Sequence, residues 1–220
     1  MTMATSAFST FAAVGNREDI TDTIYRIDPT DTPFYSGVEK AKASAVNHEW
    51  QTQALRSVAA NAQLEGDDIT AVSRTPTVRL GNICQILYTS ARVTGTQRVV
   101  DHAGRDDEMA YQEMLAGLEL KRDIEYNLVG LSTAKVTGAT TTARKFASVN
   151  AWITTNTDEG GGTAADPTAA DGTSARVDSA TLSAFTEARL KNVIKKCFDQ
   201  GGKPTVVMLN SFNKQQFSTF

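Results

Sequence analysis

Residues 106–131 read DDEMAYQEMLAGLELKRDIEYNLVGL. Ala110, Met114 and Leu118, then Leu120, Ile124, Leu128 and Leu131, recur at the spacing that brings side chains onto one side of a helix. Asp106, Asp107 and Glu108 stand where a helix N-terminus favours negative charge, and Gly130 stands near the end. The pattern predicts a helix over 105–131, roughly 40 Å long at 1.5 Å per residue. That exceeds most domain helices and describes a strut with one covered face. The acidic run is accounted for by a solvated helix start and assigns no cation site.

Upstream, residues 46–55 alternate. Val46, His48, Trp50, Thr52 and Ala54 fall on one face, and Asn47, Glu49, Gln51 and Gln53 on the other. Residues 56–71 carry a loop around Gly66, Asp67 and Asp68, residues 72–80 alternate again, and Pro76 demotes that stretch to an edge. Residues 82–94 hold the β-favouring Ile86, Tyr88 and Val93. The whole of 46–94 reads as a long antiparallel hairpin, which needs a partner surface because a two-stranded ribbon is marginal in water. Ahead of it, Asn16 and Asp19 read as a helix cap, with Ile20, Ile24 and Ile27 as its stripe. Pro29 and Pro33 then favour an extended lead, so residues 1–45 form an arm too thin for a core of its own.

Downstream, 135–153 is rich in Thr, Ala and Val and reads as mixed strand and turn. Of the 27 residues in 155–181, 22 are Gly, Ala, Ser, Thr or Asp, a composition that predicts an exposed loop unable to order itself. Residues 183–199 return to helix, with Phe185, Leu190, Val193, Ile194 and Cys197 near one face, stopped by Gly201, Gly202 and Pro204. Thr205–Leu209 has the make-up of a buried strand, and Ser211 is placed to cap a last helix. A strand and part of a helix closing on Phe217 and Phe220 lead to the expectation that more of this last domain follows Phe220.

The whole sequence has 220 residues, 40% of them hydrophobic and 21% charged, with net charge −3. This is a globular composition without the bulk positive charge of a nucleic-acid binder. Cys84 and Cys197 are too few for a disulfide framework, the first Arg is Arg17, and no apolar run reaches about 18 residues. These features favour a cytosolic product over a membrane or disulfide-stapled secreted one. Charge is uneven: 101–131 carries net −5 and 183–220 net +4. Such unlike faces can pair between neighbouring subunits or merely pattern a surface.

The search for chemistry assigns no catalytic, cofactor-binding or metal-ligating residue. His48 and His102 stand in no metal-ligand spacing. His48 shares a strand face with Trp50 and reads as a packed or interfacial ring. His102, at a helix start, reads as structural. The cysteines read as inert thiols. Gly201-Gly202-Lys203 fails as a phosphate loop because Pro204 follows the lysine and the glycines precede a strand. Gly160-Gly161-Gly162 has no strand before it. What remains is an arm, a hairpin and a strut that each need covering, the pattern of a subunit that interlocks with its own copies.

Four phrases then carry a resemblance. GNREDITDTIYRIDPTDTPFYSGVEK (15–40), HEWQTQAL (48–55) and DDEMAYQEMLAGLELKRDIEYNLV (106–129), with QGGKPTVVMLNSFNKQQFSTF (200–220), resemble the major head proteins of tailed bacteriophages, in the group similar to the phage SU ten major capsid protein. The resemblance implies an α+β chain of the Hong Kong ninety-seven-type capsid fold. On it, 1–45 is the N-terminal arm and 46–98 the extended loop. Residues 99–182 form the peripheral domain with spine helix 105–131 and flexible loop 155–181, and 183–220 starts an axial domain. It further implies a non-enzymatic homo-oligomer of pentamers and hexamers, located in the virion and assembled in the host cytoplasm. A separate scaffolding protein, a possible cement protein, a portal at one vertex and weakly contacted packaged DNA would be its partners, with no membrane. Some members weld the shell through an extended-loop lysine, but no lysine occurs from Ala43 through Leu120. An encapsulin-like cellular shell, an α/β enzyme domain and an adhesin-like surface protein stay open as alternatives. A cargo-loading pocket would mark the first, and the missing catalytic motifs weigh against the second.

Overall fold

A computed structural model of the chain describes residues 8–11, 13–16 and 19–220. It is mixed helix and strand. In order come α1 (Pro33–Gly37), β1 (Asn47–Thr52), β2 (Val78–Ile83), α2 (Gly95–Val99), α3 (Glu108–Glu125) with a π turn at Tyr126–Gly130, a 3-10 turn at Val149–Ala151, α4 (Glu187–Asp199) and α5 (Ser211–Phe217). The chain divides into two compact units. One takes the described residues up to Asp31 together with Tyr88–Arg122, the other Thr32–Leu87 together with Asp123–Phe220.

The strut forms where its apolar spacing predicts, with both ends adjusted by side chains. It starts at Glu108, since the Asp107 carboxylate accepts the Met109 N–H at 2.8 Å and so caps the helix. It closes as a π turn, in which Leu131 N–H reaches the Tyr126 carbonyl at 3.0 Å. There the Asn127 amide donates to the Asp123 carbonyl at 2.7 Å, and the Tyr126 ring lies so close over Gly130 that a Cβ would meet it at 2.5 Å.

β1 and β2 pair antiparallel, Asn47 opposite Ile83 through Thr52 opposite Val78. The hairpin is shorter than its alternation predicts. Only Val78–Leu80 of the 72–80 stretch and Asn82–Ile83 of the 82–94 stretch join the ladder. Residues 84–94 contain no strand: beyond Ile83 the Cys84 N–H still reaches the Val46 carbonyl, but the ladder goes no further. Residues 53–77 connect the strands without regular structure.

Other expectations are corrected. No helix forms over 19–32, and Arg17 and Glu18 lie outside the described residues. A short three-isoleucine stripe gains too little from burial to offset helix nucleation. The arm's helix is instead α1, where Pro33 sits at the first position that tolerates a missing N–H. Thr205–Leu209 is no buried strand: it pairs with no strand among the described residues, and Val206, Val207 and Met208 are exposed. α4 begins at Glu187 under a Thr186 cap, and Asn210, one residue before Ser211, caps α5 by accepting the Asn213 N–H at 2.8 Å. The glycines after α4 act as expected. Gly201 (φ +85°) and Gly202 donate back to Phe198 and Cys197, both at 2.8 Å, closing a Schellman end.

The stretch 155–181 is not simply an exposed loop. Asp158, Glu159, Asp166 and Arg176 are half-buried, Pro167 and Gly172 are buried, and Ala165 and Val177 bond to each other's backbone. Its order comes from ion pairs and backbone bonds, which a count of bulky side chains does not register. The buried apolar core among the described residues is small, comprising Ile83, Ala147 and Ala151. Beside it the fully buried Ser148 hydroxyl accepts the Thr133 N–H at 3.0 Å.

Candidate assembly surface

In the first unit, a turn holds the arm. Gly104 adopts φ +77°, its N–H donates to the Asp22 carboxylate at 3.1 Å, and Ile24 sits where a Cβ would meet it at 3.0 Å. Beyond that latch, Ile24–Asp28 and Thr30 line a groove of about 270 Å³ with Tyr111, Leu115, Leu118 and Arg122. Ile20, Tyr25 and Ile27 stay exposed.

The turn's base is polar and buried. Glu108 is bonded by the Gln112 amide at 2.8 Å and by the Arg105 guanidinium. The Gln112 bond and the Arg105 charge hold its carboxyl below the usual range. The buried His102 ring places Nε2 3.9 Å from Glu108. The helix start is therefore not wholly solvated as its charge suggested. Asp107 is likewise held low, first by the Met109 N–H it accepts and then by Arg98 at 3.2 Å.

In the second unit, Glu125 at the end of α3 accepts the backbone N–H groups of Phe34 (3.0 Å) and Tyr35 (2.7 Å). The hairpin's base is tied to 132–181. Asn82 exchanges bonds with the Ala147 backbone, and the Lys135 ammonium donates to the carbonyls of Gly81 and Asp171. Trp50 packs against Trp152 with ring centroids 5.1 Å apart, and His48 lies 6.2 Å from Trp50 on the same strand face. His48 is thus an exposed strand residue beside a packed tryptophan. Cys84 follows β2 and Cys197 lies in α4, both free thiols.

Beyond that base every residue from Lys40 to Arg79 is exposed, including Leu55, Val58, Leu64, Ile69 and Val72. Two further apolar depressions open elsewhere in this unit. One, of about 580 Å³, is lined by Phe34, Val38, Val206, Met208 and Phe217; the other, of about 520 Å³, by Leu182, Phe185, Leu190 and Val193. Exposed aliphatic and aromatic side chains such as these are what an assembly would cover.

Among the described residues no three His, Cys, Asp or Glu side chains converge to hold a metal ion, and no helix is long and apolar enough to cross a membrane. The glycines 160–162 all have positive φ within 155–181, and Gly201 and Gly202 close the C-terminal end of α4.

A family model described as SU10 major capsid protein matches residues 3–220. The chain belongs to the SU10 major capsid protein family. Within the matched region, the chain is 35% identical over 119 residues to the major capsid protein of Escherichia phage Phieco32, an alignment covering 54% of this chain and 34% of that protein. The chain thus spans about a third of the length of the curated relative it matches. Long-range polar contacts hold the arm, the base of the hairpin and the 155–181 segment. Four residues that organise them, Asn82, Glu125, Lys135 and Arg176, drew no attention in the sequence. Asn82, Glu125 and Lys135 bond distant backbone groups, and Arg176 pairs with the carboxylates of Glu159 and Asp166; neither kind of partner leaves a trace in spacing.

Proposed function

We propose that the protein containing this chain is the major capsid protein that self-assembles into the icosahedral head of a tailed bacteriophage around double-stranded DNA. The observation that carries this reading is the match to a major capsid protein family over residues 3–220, beside a hairpin connection whose aliphatic side chains all lie exposed. Many weak contacts per subunit, each reversible, add up to a stable shell and let misplaced subunits leave. The role is structural and not enzymatic.

The proposed layout is that of the Hong Kong ninety-seven-type fold. Residues 1–45 form the arm, 46–98 the extended loop, and 99–182 the peripheral domain around the spine helix; 183–220 start the axial domain. The exposed aliphatics of 53–77 are the part of the loop that a neighbouring subunit covers. Pentamers and hexamers close the shell with a separate scaffolding protein, a portal at one vertex and, in some shells, a cement protein. With no lysine from Ala43 through Leu120, a hairpin-lysine crosslink is not part of the design. Interdigitated segments and charge pairing take its place. A net charge of −3 suits a container that must not trap its genome. The subunit is made in the host cytoplasm and ends in the virion.

Negative-stain electron microscopy of the full gene product, co-expressed with a scaffolding partner, tests this. Uniform closed shells, or rings of five and six, are expected; persistent monomers under scaffolded conditions overturn it. Trp50→Ala, which removes the contact with Trp152, is expected to lower particle yield while the subunit still folds. Unchanged yield counts against the hairpin's part in assembly.

A further inference from the structure

We infer that Lys135 is the positioning residue that sets the direction in which the β1–β2 hairpin leaves its unit, with 155–181 serving as the socket. The register makes the Gly81 carbonyl unreachable from β1. Cys84 N–H bonds to the Val46 carbonyl directly opposite it, so hydrogen-bonded pairs alternate from there and the Glu49–Gly81 pair is non-bonded. Gly81 is buried and its carbonyl faces outward, where the Lys135 ammonium meets it at 2.9 Å. The same ammonium donates to the Asp171 carbonyl at 2.8 Å, and the Lys135 backbone N–H donates to Gly172 at 2.8 Å. One residue thus binds the hairpin edge with its tip and grips two consecutive carbonyls of the 155–181 segment.

The socket is fitted to this role. Gly172 takes φ +75°, and a Cβ there would lie 2.8 Å from both Trp152 and Ala147. Trp152 is the ring on which Trp50 packs, and Ala147 is the backbone that Asn82 bonds. A segment of small residues can therefore close against the tryptophan that seats the hairpin. Leverage makes the base decisive. Six strand residues span about 20 Å, so a 10° swing displaces their far end by roughly 3 Å, as much as a hydrogen-bond length. The consequence for shell contacts rests on the capsid reading above; the positioning itself does not.

Amide hydrogen exchange on the full gene product before assembly tests the inference, with Lys135→Met keeping the aliphatic stem and losing the donors. The expected result is at least tenfold faster exchange across 47–52 and 78–83, with the Val136, Lys145, Ala165 and Val177 amides within about twofold of wild type. The circular-dichroism signature of coupling between Trp50 and Trp152, the only two tryptophans, is expected to weaken in parallel. Unchanged hairpin exchange overturns the inference. So does loosening of all these amides together, or loss of the fold, since Lys135 is then a general stabiliser. Because no shell is needed, a protein that never assembles would sink the capsid reading and leave this measurement standing.

Discussion

Two connections of similar length behave in opposite ways. Residues 53–77 carry five bulky aliphatics, yet all lie in solvent and little in the segment is bonded. Residues 155–181 are built almost wholly of small and polar side chains, yet the segment is half-buried and stitched through Arg176, Asp166, Glu159 and the Ala165–Val177 bridge. Hydrophobicity decides what gains from being covered; it does not decide whether the cover is in the same chain. A polar segment orders when its charges find partners at short range, and an apolar one stays bare when its partner is elsewhere.

The comparison breaks most readily at Gly172. Gly172→Val places a β-branched residue at φ +75° against Trp152 and Ala147. It is expected to destabilise the second unit by about 3 kcal/mol in a urea melt. Next comes Arg176→Ala. Its guanidinium lies 2.7 Å from Glu159 and 3.3 Å from Asp166, with all three side chains mostly covered. Removing it leaves two carboxylates facing each other, at an expected loss of about 2 kcal/mol, below that of a fully buried pair.

Titration sharpens the same contrast. Burial, and then the adjacent Asp166, push the Glu159 carboxyl up. The Thr173 hydroxyl and backbone N–H hold Asp171 down. Protonation of Glu159 therefore favours the folded segment: that contribution is full below the unfolded value and is lost as pH rises through the raised one. The Asp171 contribution is present above the unfolded value and is lost as pH falls through the depressed one. Carboxyl chemical shifts followed by NMR are expected to show Glu159 titrating above, and Asp171 below, the ordinary carboxyl range. The two in the reverse order would mean that the ion-pair geometry is wrong.

The smallest effect is expected where aliphatics are most numerous. Leu64→Ser with Ile69→Ser should move subunit stability by less than about 0.5 kcal/mol, as for exposed sites generally, while lowering particle yield. A loss of 2 kcal/mol in the unassembled subunit would show that 53–77 packs within its own chain and would remove the contrast.

How legible each region was follows from the same physics. The strut and the start of the hairpin were readable because Ala110 to Leu131 and Val46 to Thr52 repeat with helix and strand periods. The length of the hairpin was not, since Ile86, Tyr88 and Val93 favour strand but the ladder does not extend to them. Thr205–Leu209 has the composition of a buried strand, but composition cannot supply the neighbour that would pair with it. Lys135, Asn82 and Glu125 were invisible because each bonds to distant backbone, and any sequence supplies backbone.

The grip of Glu125 on Phe34 and Tyr35 spans 91 and 90 residues, which sets a schedule during synthesis. At about 5–20 residues per second, the arm leaves the ribosome several seconds before the carboxylate that anchors it exists. Throughout that interval the Phe34 and Tyr35 N–H groups lack their Glu125 acceptor. Translation speed thereby sets how long the arm waits before its anchor can close.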